Sequence, residues 1–361
     1  MPGTMTWAGL DVHARSIHTA AVVADTGELV RRRFGGEPGP VVEWLASLPG
    51  PVHACYEAGP TGYGLARAAA AAGVRIDVIA PSKTPRAPGD RIKTDRKDAE
   101  LLVRLLMAGQ LAVVAIPPSA VEATRDLTRA REAIRVDLTR WRHRVSKLLL
   151  RYGRVWSAGK SAWTLEHRAW LGRQRFEEPA TDLAYLDALA AMDGLLHRRA
   201  ALDAQLERLA RDPAWWPTVA RLRAFRGIDT LSALALHLEI HDWERFDRPA
   251  QLAAWVGLVP SRAQSGETDH HGAITKTGSA HARRLLVEAA WHYQRQPGAG
   301  VALRRRQDGV PDHVLAISGR CQRRLHRVHR DLRGRGKPAN VATVAAAREL
   351  ACFLWAAATA P

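Results

Sequence analysis

Cysteine is scarce in this chain: Cys55, Cys321 and Cys352 are the three in 361 residues, far apart and in no Cys-x-x-Cys pair. That excludes a disulfide framework and fits a reducing compartment, with the cytoplasm as the expected location. Neither His270, His271 and His281 nor Cys321 with His326 and His329 offers four ligands at a structural zinc spacing, which argues against a zinc module. No internal repeat is visible, so a solenoid is not expected. The start has no basic segment followed by an apolar core, and no run is read as approaching the roughly 18 apolar residues of a membrane span. Secretion and membrane insertion are therefore not expected. Acidic residues are also in deficit, 36 against 53 Lys and Arg, which leaves a net charge of +17.

What is present is a globular composition, 47% hydrophobic and 25% charged, long enough for two or three domains. The positive charge is local. Residues 129–160 hold ten basic and two acidic residues and 301–337 hold eleven and three, whereas 161–300 balance at 17 each. Two strongly basic stretches beside a neutral one point to a polyanionic partner rather than to an Arg-rich composition alone. Arg140, Arg144 and Lys147 in the first, and Arg323, Arg324 and Arg327 in the second, are candidate phosphate contacts. Lys93 joins them.

Hydrophobic patterning predicts strands over 6–12, 17–24, 28–34, 52–56 and 74–79, with helices near 41–48, 61–72 and 95–107. Three strands followed by alternating helices and strands is the order of a ribonuclease-H-like α/β domain, assigned to residues 1–115. A helix over 119–151 carries Ile134, Leu138, Trp141, Val145 and Leu148 at coiled-coil spacing. A second, over 182–211, carries a stripe of Leu183, Leu186, Leu189, Leu196, Leu202, Leu206 and Leu209. Together they form a helical coiled-coil insert, residues 116–215. The remainder, 216–361, reads as mainly helical. It includes a helix-hairpin-helix-like turn at 225–233, for which an ordinary helix-helix turn is an equal reading, a polar loop over 261–276 and an Ala-rich final helix from Pro338.

Asp11 ends the first strand and Glu57 follows the fourth, where ligands gather in open α/β sheets. Asp95 and Asp98 lie three apart and share a helical face. Four converging carboxylates repel one another, and hard divalent cations are the usual remedy, Mg²⁺ foremost. Taken singly, each acid reads more readily as structural, Asp95 as a cap of its helix and Asp98 as a partner of Arg91 or Lys97; it is their joint placement that points to a site.

The strings Gly9-Leu10-Asp11-Val12-His13, Tyr56-Glu57-Ala58-Gly59-Pro60-Thr61-Gly62 and Lys93-Thr94-Asp95-Arg96-Lys97-Asp98-Ala99 resemble the DEDD-type transposases of the IS110 insertion-sequence family. In the second half, Arg226-Gly227-Ile228-Asp229-Thr230, Gly257-Leu258-Val259-Pro260, Ser265-Gly266 and Gly272-Ala273-Ile274-Thr275-Lys276-Thr277-Gly278 followed by Arg283-Arg284-Leu285-Leu286 resemble its second domain. The resemblance implies a RuvC-like nuclease domain with Asp11, Glu57, Asp95 and Asp98 as metal ligands, and a transposase domain with a serine nucleophile. It further implies a bridge RNA that pairs with donor and target DNA, and a homodimer or homotetramer.

Ser265 matches the family's Ser-Gly position. Ser279 stands where the family more often carries Asn, and as the residue before a helix it is the expected N-cap. Ser265 is therefore the favoured nucleophile, with Lys276, Arg283 or Arg284 to stabilise charge at phosphorus. The expected activity is DNA strand cutting and rejoining through a Mg²⁺-assisted phosphoserine. The alternatives are a hydrolytic RuvC-like nuclease, in which Ser265 is structural, and a non-catalytic nucleic-acid-binding protein.

Overall fold

The structure is a computed structural model that describes residues 5–85, 95–159, 161–266 and 268–361. The chain forms two compact units, Met1–Pro117 and Pro118–Pro361.

The first unit is built on a five-stranded sheet. β1 (Thr6–Val12), β2 (Ile17–Val23) and β3 (Leu29–Phe34) make an antiparallel meander, and β4 (Val52–Glu57) and β5 (Arg75–Ile79) add in parallel on the other side of β1. The order β3-β2-β1-β4-β5 agrees with the ribonuclease-H-like expectation. Alternation of side chains along each strand sorts the two faces. Ala8, Leu10, Ala54, Tyr56 and Val78 pack under α1 (Pro38–Ala46) and α2 (Gly64–Ala71). On the opposite face Trp7, Ala20, Cys55 and Ile79 meet α3 (Asp95–Met107) through its Ala99, Leu102, Val103 and Leu106.

Gly9 sits where α3 crosses β1. A Cβ there would lie 2.8 Å from the Val103 nitrogen and 3.0 Å from Leu102 Cβ, and closer still to the Ala99 carbonyl oxygen. Only a residue without a side chain lets the helix descend this far onto the sheet.

In the second unit, α4 (Ser119–Arg151) packs along α6 (Pro179–Leu209), with α5 (Leu165–Arg173) beside them. Ile134, Leu138, Val145 and Leu149 of α4 share a core with Leu171, Phe176, Tyr185, Ala188, Met192 and Leu195. The leucine stripe expected on α6 is corrected only at its start: Leu183 and Leu186 are exposed, whereas Leu189, Leu196 and Leu202 pack against this core beside the buried Tyr185, Ala188, Met192 and Leu195, and Leu206 is buried in the unit's larger core. The Tyr185 hydroxyl donates to the Leu171 carbonyl, which holds the first turns of α6 with Tyr185 inward and Leu183 and Leu186 outward.

The larger core of this unit joins α7 (Trp216–Arg223), α8 (Thr230–Ile240), α9 (Pro249–Trp255), α10 (Ala280–Ala290), α11 (Val301–Gln307), α12 (Asp312–Gly334) and α13 (Ala339–Ala358) with the base of α4 and the end of α6. Between α7 and α8, Gly227 has φ +82° and lies against Ala289 of α10, and the Asp229 carboxylate accepts from the Ser232 N–H as the N-cap of α8.

Two further expectations are corrected. Residues 261–276 are not simply a polar loop: β6 (Pro260–Ser265) and β7 (Thr268–Ile274) form an antiparallel hairpin closed at Gly266, φ +55°. α13 is 20 residues long, with mean hydropathy 1.5 in its most apolar window, so one helix does meet the length and composition of a membrane span. Its Ala342, Ala346, Ala347, Leu350, Ala351, Leu354 and Ala357 are instead buried in the unit's core.

Candidate functional site

The acidic site in the first unit follows from the sheet. Asp11 is on the face of β1 that carries Trp7 and Gly9, hence the face under α3. The parallel register runs Thr6 to Val52 through Leu10 to Tyr56, and one more step sets Glu57 beside Asp11. Adjacent strands are about 4.8 Å apart, so both carboxylates leave one edge of the sheet on one face. α3 completes the arrangement. With Gly9 admitting Ala99 and Val103, its first turn projects Asp95 and Asp98 toward the end of β1, and carboxylates there also complement the helix dipole.

Asp11, His13 and Asp95 present ligand atoms all within 4.8 Å of one another, the one such metal-capable group among the described residues. His13 Nε2 is 3.2 Å from Asp11 Oδ2 and 3.8 Å from Asp95 Oδ1. His18 Nε2 is 3.5 Å from Asp95 Oδ2. Burial pushes the Asp11 carboxyl above its usual range; His13 draws it back, and the charges of Asp95 and Asp98 push it up again. A half-buried carboxylate facing two others from another element is the donor set that a hard divalent cation relieves, so the residues fit a metal.

His13 and His18 carry no role in the sequence reading. A signal for His18 existed in the strand pattern, because a tight β1–β2 connection puts Asp11 directly opposite His18 in the antiparallel register.

The two serines differ sharply. Ser265 is exposed near the hairpin tip, paired across the strands with Thr268, and its hydroxyl has no hydrogen-bond partner among the described residues. Arg262 forks onto Asp269 at 2.7 and 2.9 Å next to it. Ser279 caps α10: its Oγ accepts from the Ala282 N–H at 3.1 Å and donates to Glu239 Oε2 at 2.9 Å. Glu239 also receives a two-pronged contact from Arg129 at 3.0 and 3.1 Å, and His281 Nδ1 lies 3.5 Å away. Burial alone would raise this carboxyl. The His281 imidazole, the Arg129 guanidinium and the Ser279 hydroxyl outweigh it and bring the Glu239 pKa down to about 2.

Of the candidate nucleic-acid contacts, Arg140, Arg144 and Lys147 are exposed on α4, Arg140 pairing with Asp137 at 3.0 Å and Arg144 lying over the Trp141 ring at 4.5 Å. Arg323 and Arg327 are exposed on α12, and Arg324 forks onto Glu349 at 2.8 and 2.9 Å. Lys276 is exposed at φ 55°. Arg283 donates to the Val256 and Thr277 carbonyls, and Arg284 pairs with Glu132 and Glu288. Lys93 lies outside the described residues. Cys321 is buried against the Tyr293 hydroxyl, a core position.

Residues 219–302 match the model of the "Transposase IS116/IS110/IS902 family", and residues 8–153 match a second family model described as "Transposase", of the DEDD, IS110 type. Over 357 residues the chain is 37% identical to the putative transposase y4qE of Sinorhizobium fredii, covering 97% of this chain and 87% of that one. The chain belongs to the IS110 family of transposases. A transposase for insertion sequence element IS1533, from Leptospira borgpetersenii, is 30% identical over 338 residues, 92% of this chain and 97% of its own. A probable family 20 transposase of Pseudomonas aeruginosa is 28% identical over 79% of this chain and 77% of its own. The first matched segment of this transposase spans Asp11, Glu57, Asp95 and Asp98, and the second spans both serines. The expected family is thus the observed one, and DNA is its partner.

Proposed function

We propose that this transposase cuts and rejoins donor and target DNA, with Asp11, Glu57, Asp95 and Asp98 holding Mg²⁺ and Ser265 as the nucleophile. The observation that carries the reading is the seating of α3 on Gly9, which delivers Asp95 and Asp98 to the end of β1 where Asp11 and, by register, Glu57 emerge. The bound cation supplies neutralisation of phosphodiester charge. The Ser265 hydroxyl adds to phosphorus as one ester bond breaks, its proton passes to the departing oxygen through solvent, and attack by a strand-end hydroxyl on the phosphoserine reseals DNA. Exposure of Ser265 suits a duplex approaching a hairpin, and Gly266 beside it leaves the backbone open to phosphate.

In this reading residues 1–115 form the RuvC-like nuclease domain, 116–215 the coiled-coil insert and 216–361 the transposase domain. The Gly227 turn serves as a helix-hairpin-helix element, a bridge RNA pairs with both DNAs, and a homodimer or homotetramer supplies paired active sites. The basic surfaces of α4 and α12 hold the nucleic acid backbones.

Asp11→Asn is expected to abolish divalent-metal-dependent strand cleavage and spare DNA binding; cleavage retained in that variant removes the carboxylates from the mechanism. A suicide DNA substrate should trap an adduct that peptide mapping places on Ser265 and that Ser265→Ala eliminates. The hydrolytic reading is favoured by one observation, the lack of any hydrogen-bonded base at Ser265 among the described residues, and it expects cleavage with no adduct at all.

A further inference from the structure

We infer that His13 is itself a ligand of the divalent cation at the Asp11–Asp95 site, and that its imidazole tilts the site from Mg²⁺ toward Mn²⁺. The inference rests on the proposal that these carboxylates hold a cation.

The backbone sets it up. His13 follows Asp11 by two residues, so extended chain returns its side chain to the same face of the sheet. The His13 N–H donates to the Ser16 carbonyl at 2.9 Å, which fixes the chain as it turns into β2. The imidazole reaches back over the strand end, where its Nε2 faces carboxylates from two different elements, Asp11 Oδ2 at 3.2 Å and Asp95 Oδ1 at 3.8 Å.

Those separations match a coordination shell. With bonds of about 2.1 Å, adjacent ligands of an octahedral ion lie about 3.0 Å apart and opposed ones about 4.2 Å. Both observed values fall at or between these limits. A plain His–Asp pair explains the arrangement less well, because His13 is half-exposed and an exposed pair contributes little.

Asp95 is oriented to match. Its Oδ2 faces His18 Nε2 at 3.5 Å, and its Oδ1 faces His13. An imidazole beside a ligating carboxylate in this way fixes which oxygen is offered to the metal. Carboxylate oxygens accept Mg²⁺ and Mn²⁺ alike, whereas an imidazole nitrogen adds affinity mainly for transition-metal ions.

The test uses the full-length protein with Mn²⁺ and Mg²⁺ alone, without DNA. Free Mn²⁺ is followed by electron paramagnetic resonance, Mg²⁺ by competition, and bound Mn²⁺ is examined for nitrogen-14 coupling by electron spin echo modulation. The wild type should show nitrogen coupling, and His13→Ala should lose it together with on the order of tenfold in Mn²⁺ affinity, while Mg²⁺ affinity moves much less. His18→Ala should keep the coupling, which separates ligation from orientation. Thermal melts confirm that each variant is folded.

If Asp11→Asn binds Mn²⁺ as tightly as wild type, the carboxylate site itself is refuted. If Asp11→Asn loses Mn²⁺ but His13→Ala retains both its affinity and the nitrogen coupling, the carboxylate site stands and His13 is not a ligand.

Discussion

Gly9→Ala tests the step on which the acidic site depends. The added methyl would press on the Ala99 carbonyl oxygen, on the Val103 nitrogen at 2.8 Å and on Leu102 Cβ at 3.0 Å. All but the last are backbone atoms of α3, which no rotamer change can move aside. The helix must lift by roughly half to one ångström, and overpacking of this kind costs about 1–3 kcal/mol. Asp95 and Asp98 ride on the same helix, and a displacement near 1 Å of positioned groups can lower a rate on the order of a hundredfold. Gly64→Ala is the control, since Gly64 opens α2 with nothing within 4 Å of the place an added methyl would take and a φ outside the left-handed region. Denaturant unfolding should show Gly9→Ala destabilised by about 2 kcal/mol and Gly64→Ala neutral or slightly stabilised. Metal-dependent cleavage should fall on the order of a hundredfold in the first and stay unchanged in the second, with DNA affinity unaltered in both. Wild-type cleavage by Gly9→Ala would refute the claim that the close seating of α3 positions the acids.

The Glu239 cluster gives an acid-limb signature. Its carboxyl is held near 2 in the folded state against 4.5 when free, so its contribution, about 3 kcal/mol, is complete above pH 4.5 and is lost as pH falls from there toward 2. Glu239→Gln should flatten stability against pH over that window, and an unchanged slope would mean the cluster is not charged as described. Ser279→Ala should cost about 1 kcal/mol through the lost cap of α10 and leave any covalent DNA adduct in place; loss of the adduct would make Ser279 the nucleophile. Changing Arg140, Arg144 and Lys147 together to Ala should reduce the slope of log affinity against log salt by roughly two to three. No change in that slope would place DNA elsewhere.

Much of the fold was legible because its elements keep their periods. The strands of the meander alternate in and out, and α3 and α4 begin and end where the sequence pattern places them, Asp95–Met107 and Ser119–Arg151. The β6–β7 hairpin was hidden because β6 is exposed along its whole length, so neither face carries the apolar residues that a strand pattern needs. On α6 the leucine stripe misled only at its first turns, where Tyr185 with its bonded hydroxyl takes the packed face and Leu183 and Leu186 stay exposed. The candidates Asp11 and Glu57 were legible as acids at strand ends, and Asp95 and Asp98 from their spacing of three. His18 was legible only through the β1–β2 register that sets it opposite Asp11, and the approach of His13 to Asp95 was not legible, because it depends on how far α3 descends at Gly9.

The burial of α13 bears on the order in which the protein is made. Its Ala346, Leu350 and Leu354 share one core with Val121 at the start of α4, so the earliest-synthesised part of the second unit waits for the latest. The first unit needs nothing beyond Pro117 for its sheet and its α3 contacts. At roughly 5–20 residues per second, translation separates the two events by about 10–50 s. During that interval a ribosome carries a finished acidic site ahead of an unfinished partner unit, and in a nascent chain halted before Ala339 protease should cut within residues 118–338 while the strands β1–β5 and α3 stay protected.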